Sequence, residues 1–212
     1  MSQNRSHAVM AQRAEPHDSL DFFPTPHWAT RALCRHVIDG HFPAGHHYAA
    51  WEPACGTGSM ALPLAEYFGT VHASDVHHYG FGDGVHDFLG MVPAPVRADW
   101  IITNPPFRLG VQFARRAVEL AGFGVALLVR TAFLESVERH RLFTEHPPAV
   151  VAQFVERVPM VKGRLSRTAS TATSYAWIVW ARGNTDTRLR WIPPCRKALE
   201  RASDWPAEEV AA

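Results

Sequence analysis

Between residues 26 and 42 the apolar positions Trp28, Leu33, Val37 and Ile38 recur at helical spacing. They predict a helix with Thr25 as its N-cap and Pro26 at its first position. The period then changes. Residues 48–51 form a short apolar run that predicts a buried strand, and 60–68 return to a helical pattern. A second strand over 71–74 closes on Asp75, and a glycine-rich loop follows through Phe81 and Gly84. Residues 98–103 predict a third strand, 111–121 a helix and 124–130 an unbroken apolar strand. Two more strands are predicted over 150–158 and 174–180. Strands that alternate with helices and read as continuous apolar runs indicate an α/β fold, with a mostly parallel, doubly wound sheet covered on both faces. No helical pattern separates the last two strands, so they are expected to form an antiparallel hairpin at one edge. Residues 1–20 are polar and aperiodic and are expected to be a disordered arm.

Composition narrows the function classes. The 212 residues, 47% of them hydrophobic, suffice for one α/β domain that needs no disulfide to fold. Cys34, Cys55 and Cys195 are far apart and include no CxxC pair, which points to a reducing compartment. The N-terminal residues carry no signal-peptide core and no apolar run reaches membrane-spanning length; a soluble, cytoplasmic protein is expected, without a membrane partner. Thirteen histidines include the pairs His46-His47 and His77-His78, but neither has a third ligand at metal-site spacing, so no metal is expected.

In an open α/β sheet, ligands bind beyond the carboxyl ends of the strands, and here those ends carry distinctive residues. The first predicted strand runs into Glu52-Pro53-Ala54-Cys55-Gly56-Thr57-Gly58. Its glycines can let a ligand approach backbone N–H groups, or simply form a tight turn. Asp75, 17 residues past Gly58, is placed to accept both hydroxyls of a ribose, or to cap a helix. With no complete phosphate-cradling loop, the expected ligand is an adenosine without a pyrophosphate. The third strand is cut off by Asn104-Pro105-Pro106-Phe107. Two prolines fix two φ angles and remove two donors, so the Asn104 side-chain oxygen and the Pro105 carbonyl form a rigid pair of acceptors. Such a pair suits a planar NH₂ group: it favours the pyramidal nitrogen and stabilises the positive charge that develops as that nitrogen attacks a methyl group. Phe107 supplies a face for a base.

These residues resemble the motif set of S-adenosylmethionine-dependent adenine-N6 DNA methyltransferases. Asn104 to Phe107 matches their N-P-P-[YF] motif, and Glu52 to Gly58 resembles their E/D-P-x-x-G-x-G cofactor loop. Asp21-Phe22-Phe23-Pro24-Thr25-Pro26 is similar to the upstream segment whose Thr or Ser contacts the methionine carboxylate, implying roles for Phe23 and Thr25. Asp87-Phe88-Leu89 is similar to the segment whose acid accepts the cofactor adenine's amino group and whose aromatic lies on the ring. The motif order resembles the gamma arrangement, and Gly163-Arg164-Leu165 with 171–177 resembles small enzymes of phages, prophages and gene-transfer agents. The resemblance implies a Rossmann-like methyltransferase fold, with a methyltransferase domain over 21–192 and a tail over 193–212. It implies S-adenosylmethionine as cofactor, bound by Phe23, Thr25, Glu52, Pro53, Ala54, Gly56, Gly58, Asp75, Asp87 and Phe88. Nothing in the chain is long enough for the separate target-recognition domain of larger enzymes, so selectivity is expected to be short, weak, or supplied by residues 131–175.

Similar motifs occur in methyltransferases of glutamine and of RNA base amines, and charge bears on that choice. Residues 1–100 carry a net −5 and residues 101–212 a net +6; between Arg157 and Arg201 stand ten basic residues against Asp186 and Glu200. That balance favours nucleic acid over protein but does not separate DNA from RNA. Arg157, Lys162, Arg164 and Arg167, with Arg108 beside the catalytic loop, are the expected phosphate contacts. The arginine bias alone is equally a mark of a GC-rich genome.

Overall fold

The computed structural model describes residues 21–184 and 186–207. The arm expected over 1–20 and the last five residues of the tail lie outside the described residues. An eight-stranded sheet forms the centre. Its strands are β1 (Ala49–Glu52), β2 (Thr70–Asp75), β3 (Gly84–Val85), β4 (Trp100–Thr103), β5 (Gly124–Arg130), β6 (Val150–Phe154), β7 (Tyr175–Ala181) and β8 (Arg188–Ile192), in the order β3-β2-β1-β4-β5-β7-β6-β8. From β3 to β5 neighbours run parallel, β7 is antiparallel to both β5 and β6, and β8 is parallel to β6.

Side chains of the inner strands alternate between two cores, as the two-residue period of a strand requires. Trp100, Ile102, Leu128, Trp177 and Val179 face one cluster, with α1 (His27–Leu33) and α2 (Ala61–Leu64) supplying Trp28, Leu33 and Leu64. Ile101, Leu127, Ile178 and Trp180 face the other, with Phe113, Ala114 and Ala117 of α3 (Gly110–Leu120) and Leu142 of α4 (Val137–Glu145). The indole N–H of Trp177 donates to Ala29 O and that of Trp180 to His146 O, one on each side.

The expected hairpin is present as β6–β7, but β8 lies outside it and forms the edge of the sheet. Its RLRWI alternation leaves only Ile192 buried, so the periodicity of a buried strand is missing. Helix α4, VERHRLFTE, also escaped the pattern because only Leu142 is buried. The first helix is shorter than its apolar spacing suggests: α1 passes into a wider π-type turn at Cys34–Ile38. Thr25 is not its cap. Pro26 holds that position with extended ψ, no side chain caps the turn, and the Thr25 hydroxyl instead points its bond at Met160 Sδ, 4.0 Å away. In the tail, α5 (Arg196–Leu199) and a following turn pack back on α1, and Cys195, Leu199 and Trp205 join the first core.

Candidate active site

The chain runs from β1 through β2 to β3 on one side of the sheet and continues with β4 and β5 on the other, so the loops after β1 and β4 diverge. A crevice must open between them. It is a cleft of about 980 Å³ lined by Phe23, Thr25, Glu52, Pro53, Ala54, Gly56, Asp75, Asp87, Phe88, Asn104, Pro106, Phe107 and Arg108 among others. Thirteen of the candidate site residues therefore meet in one place. Gly58, Pro105, Arg157, Lys162, Arg164 and Arg167 are not in its lining.

The β1 loop is built differently from a phosphate-binding turn. Gly56 and Gly58 have φ of +51° and +84°, and a Cβ at either would lie 2.5 Å from an aromatic carbon, of Phe22 and Phe81 respectively. The glycines thus admit two phenyl rings, and Gly58 packs against Phe81 instead of facing the cleft. The Gly56 N–H is itself taken, donating to Asp75 Oδ2 at 2.9 Å. With His77 N–H on its other oxygen, the Asp75 carboxylate is held rigidly and still has a free lone pair on each oxygen. Phe22 stacks on Tyr79 with centroids 4.9 Å apart, which ties the segment before α1 to the loop after β2.

Glu52 is only 2% exposed. Burial holds its carboxyl well above the usual carboxylate range and nearby Asp75 adds to this, while a hydrogen bond from the Ala61 backbone opposes it. Its Oε2 has no partner. A buried carboxyl that lines a cleft with an unused oxygen gains from a cationic or donating ligand. Cys55, between them, has its thiol pushed up to about 12 by burial and by Glu52 and Asp75, which leaves it a packing residue. Asp87 accepts the Leu89 N–H, and Phe88 packs against Trp51 and Phe113 at 5.1 and 4.9 Å.

On the β4 side, the NH₂ of Asn104 donates to Phe23 O at 2.9 Å and approaches Met160 Sδ at 3.7 Å. This fixes the amide orientation, since the side that meets a carbonyl must be the donor. Asn104 Oδ1 is then left buried with no partner. Pro106 starts a tight turn over Phe107–Leu109, and the Phe107 N–H donates to Asp21 Oδ2 at 2.6 Å. The Phe107 ring has Phe23 at 5.1 Å, tilted by 44°, and the Arg130 guanidinium carbon 3.8 Å from its centroid. Sequence reasoning assigned no role of their own to Asp21, Met160 and Arg130, which come from 86, 56 and 23 residues away from their partners.

The basic residues divide. The turn from Val161 to Arg164 is tied to the cleft wall because the Gly163 N–H donates to Phe22 O at 2.9 Å, so Lys162 and Arg164 stand beside the opening. Arg157 bonds Ser174 Oγ. Arg167 leans toward α5, its guanidinium 3.9 Å from Glu200 and its carbonyl accepting from Arg196. Among the described residues no helix is long and apolar enough to cross a membrane.

No protein-family model matches the chain, and no curated protein matches it in sequence. Solved structures do match. The modification subunit assigned to a type I restriction enzyme from Vibrio vulnificus YJ016 aligns with a TM-score of 0.54 at 15% identity over 81% of this chain and 47% of its own. The EcoKI type I M protein aligns at 0.53 and 13%, over 76% and 44%. A Listeria monocytogenes protein assigned as a class I S-adenosylmethionine-dependent methyltransferase aligns at 0.52 and 13%, over 82% and 67%. The fold is that of Rossmann-like methyltransferases, and the chain spans about half the length of the two modification subunits.

Proposed function

We propose that the protein transfers a methyl group from S-adenosylmethionine to the exocyclic N6 amine of adenine in DNA, with residues 21–192 as the methyltransferase domain. The observation that carries this reading is Asn104 Oδ1, a buried acceptor without a partner, held at the end of β4 beside the Phe107 ring. A group that donates hydrogen and lies flat on an aromatic ring is what such a site lacks.

The β1–β2 half of the cleft suits the cofactor on its own chemistry. Glu52 Oε2 is an orphan acceptor for a cationic group, Asp75 has lone pairs for ribose hydroxyls, and Asp87 with Phe88 suits an aminated ring. Thr25, Phe23, Pro53, Ala54 and Gly56 complete that wall. When bound, S-adenosylmethionine would supply an electrophilic methyl group on a sulfonium. The chain's own residues supply position and charge. Asn104 Oδ1 accepts a hydrogen of the amine, draws it toward the pyramidal form, and stabilises the positive charge that grows on nitrogen. Phe107 sets the plane of the ring, and Phe23 O holds Asn104 by its NH₂. No general base is required, because the nitrogen loses its proton to water once it carries the methyl.

Inside a duplex the N6 amine is paired, so the base must leave the stack at a cost of a few kcal/mol. Lys162 and Arg164 beside the opening, and Arg108 in its lining, are the phosphate contacts we favour, with Arg157 and Arg167 further out. Similarity to modification subunits of type I restriction enzymes supports a DNA acceptor. The test is a methyl-transfer assay with labelled S-adenosylmethionine on DNA, RNA and protein, followed by analysis of the labelled product. N6-methyladenine in DNA is expected. Label on glutamine, on N4 of cytosine or in RNA alone would overturn the acceptor.

A further inference from the structure

We propose that Arg130 is a displaceable stand-in for the acceptor base, covering the Phe107 ring until a planar base takes its place; this rests on the adenine reading above. The guanidinium is planar and cationic, and its central carbon lies 3.8 Å from the Phe107 centroid, where a stacked base would lie. Phe23 stands against the ring at 5.1 Å, and the Phe107 backbone N–H donates to Asp21 at 2.6 Å, which fixes the backbone that carries it. For a base to stack on the face of Phe107 that the guanidinium covers, Arg130 must leave.

Its position allows that. Arg130 is the last residue of β5, exposed, while the six residues before it are buried, so the side chain can swing without moving the strand. Tyr175 is its cross-strand partner on β7, and a phenol therefore stands opposite it across the strands as an alternative partner. The exchange also selects acceptors: a nucleobase has a π-face at least as broad as a guanidinium, whereas the amide of glutamine does not.

The experiment follows the Arg130 Nε–H resonance, assigned by its loss in Arg130→Lys, in protein saturated with S-adenosylhomocysteine to prevent turnover. A guanidinium over a ring is shifted upfield. Adding a short single-stranded oligodeoxynucleotide with one adenine should abolish that shift, and an oligonucleotide of the same length with an abasic site there should leave it. Arg130→Ala, which vacates the face in advance, should lower KM for the adenine oligonucleotide about threefold to tenfold with an unchanged salt dependence. A shift that persists at saturating adenine oligonucleotide would overturn the proposal. So would a KM that rises in Arg130→Ala with a log–log salt slope smaller by about one, which marks a phosphate contact. The adenine reading fails separately, if wild-type protein forms no N6-methyladenine in the same oligonucleotide.

Discussion

Two buried carboxyl groups, Asp204 and Glu52, have opposite surroundings. Asp204, in the turn after α5, receives Arg31 Nη1 and Nη2 at 2.6 and 2.8 Å and the Arg201 N–H at 2.8 Å, with His27 Nδ1 at 3.2 Å. Arg31 in turn spends its whole fork, on Asp204, the Leu199 carbonyl and Glu66, which Arg201 also holds. Glu52 has one backbone bond and an idle oxygen. Burial costs both groups; at Asp204 the cost is offset within the protein, and at Glu52 it waits for a ligand. The saturated cluster fastens the C-terminal segment to α1, and the unsaturated one lies in the cleft wall.

The sharpest way to break this contrast is to unpair the saturated side. Asp204→Asn leaves the buried Arg31 guanidinium short of one counter-charge and should lower unfolding stability by about 3 kcal/mol in chemical denaturation. Cofactor affinity of the folded fraction should not change. Next in size is Asn104→Ala, which removes the idle acceptor from the cleft. Single-turnover methyl transfer should slow by about two to three orders of magnitude, as when one preorganised charge-stabilising group is deleted, with cofactor affinity nearly constant.

Glu52→Gln sharpens the comparison by neutralising the idle carboxyl. The variant should lose the fall in stability that the wild type shows as pH rises above the ordinary carboxylate range, and cofactor binding should weaken. The pH dependence separates the two carboxyls further. For Asp204, burial raises the proton affinity but the Arg31 hydrogen bonds outweigh it and hold the group below its ordinary range. Its support is therefore complete above about pH 4 and is lost as pH falls through the lowered folded value. For Glu52 the folded state keeps its proton longer than the unfolded chain, so stability declines as pH rises from about 4 toward the raised folded value. Thermal melts of both variants across pH should flatten these opposite slopes. Smallest is Asp75→Ala, for which calorimetry should show cofactor binding about tenfold weaker, near 1.4 kcal/mol.

The parts of the molecule that were legible in the chain are those whose cause is local. Apolar runs such as Gly124–Arg130 announce buried strands, and Asn104 to Phe107 carries its acceptor and its ring within four residues. Glu52, Asp75 and Asp87 could be placed because each closes or follows a strand, and parallel strands bring their carboxyl ends to one side. Where burial is one-sided or absent, the pattern fades, as in β8 and α4.

The α/β alternation, the positions of the strand ends and the chemistry those ends can display follow from the order of residues alone. It takes the folded chain to bring Phe22 and Phe81 into the space against the two glycines, Arg130 over Phe107, and Arg31 to Asp204 across 173 residues. Side-chain pairing between distant segments has no periodicity along the chain. It is set by which strands the sheet makes neighbours and by which buried charges must find partners once water is gone.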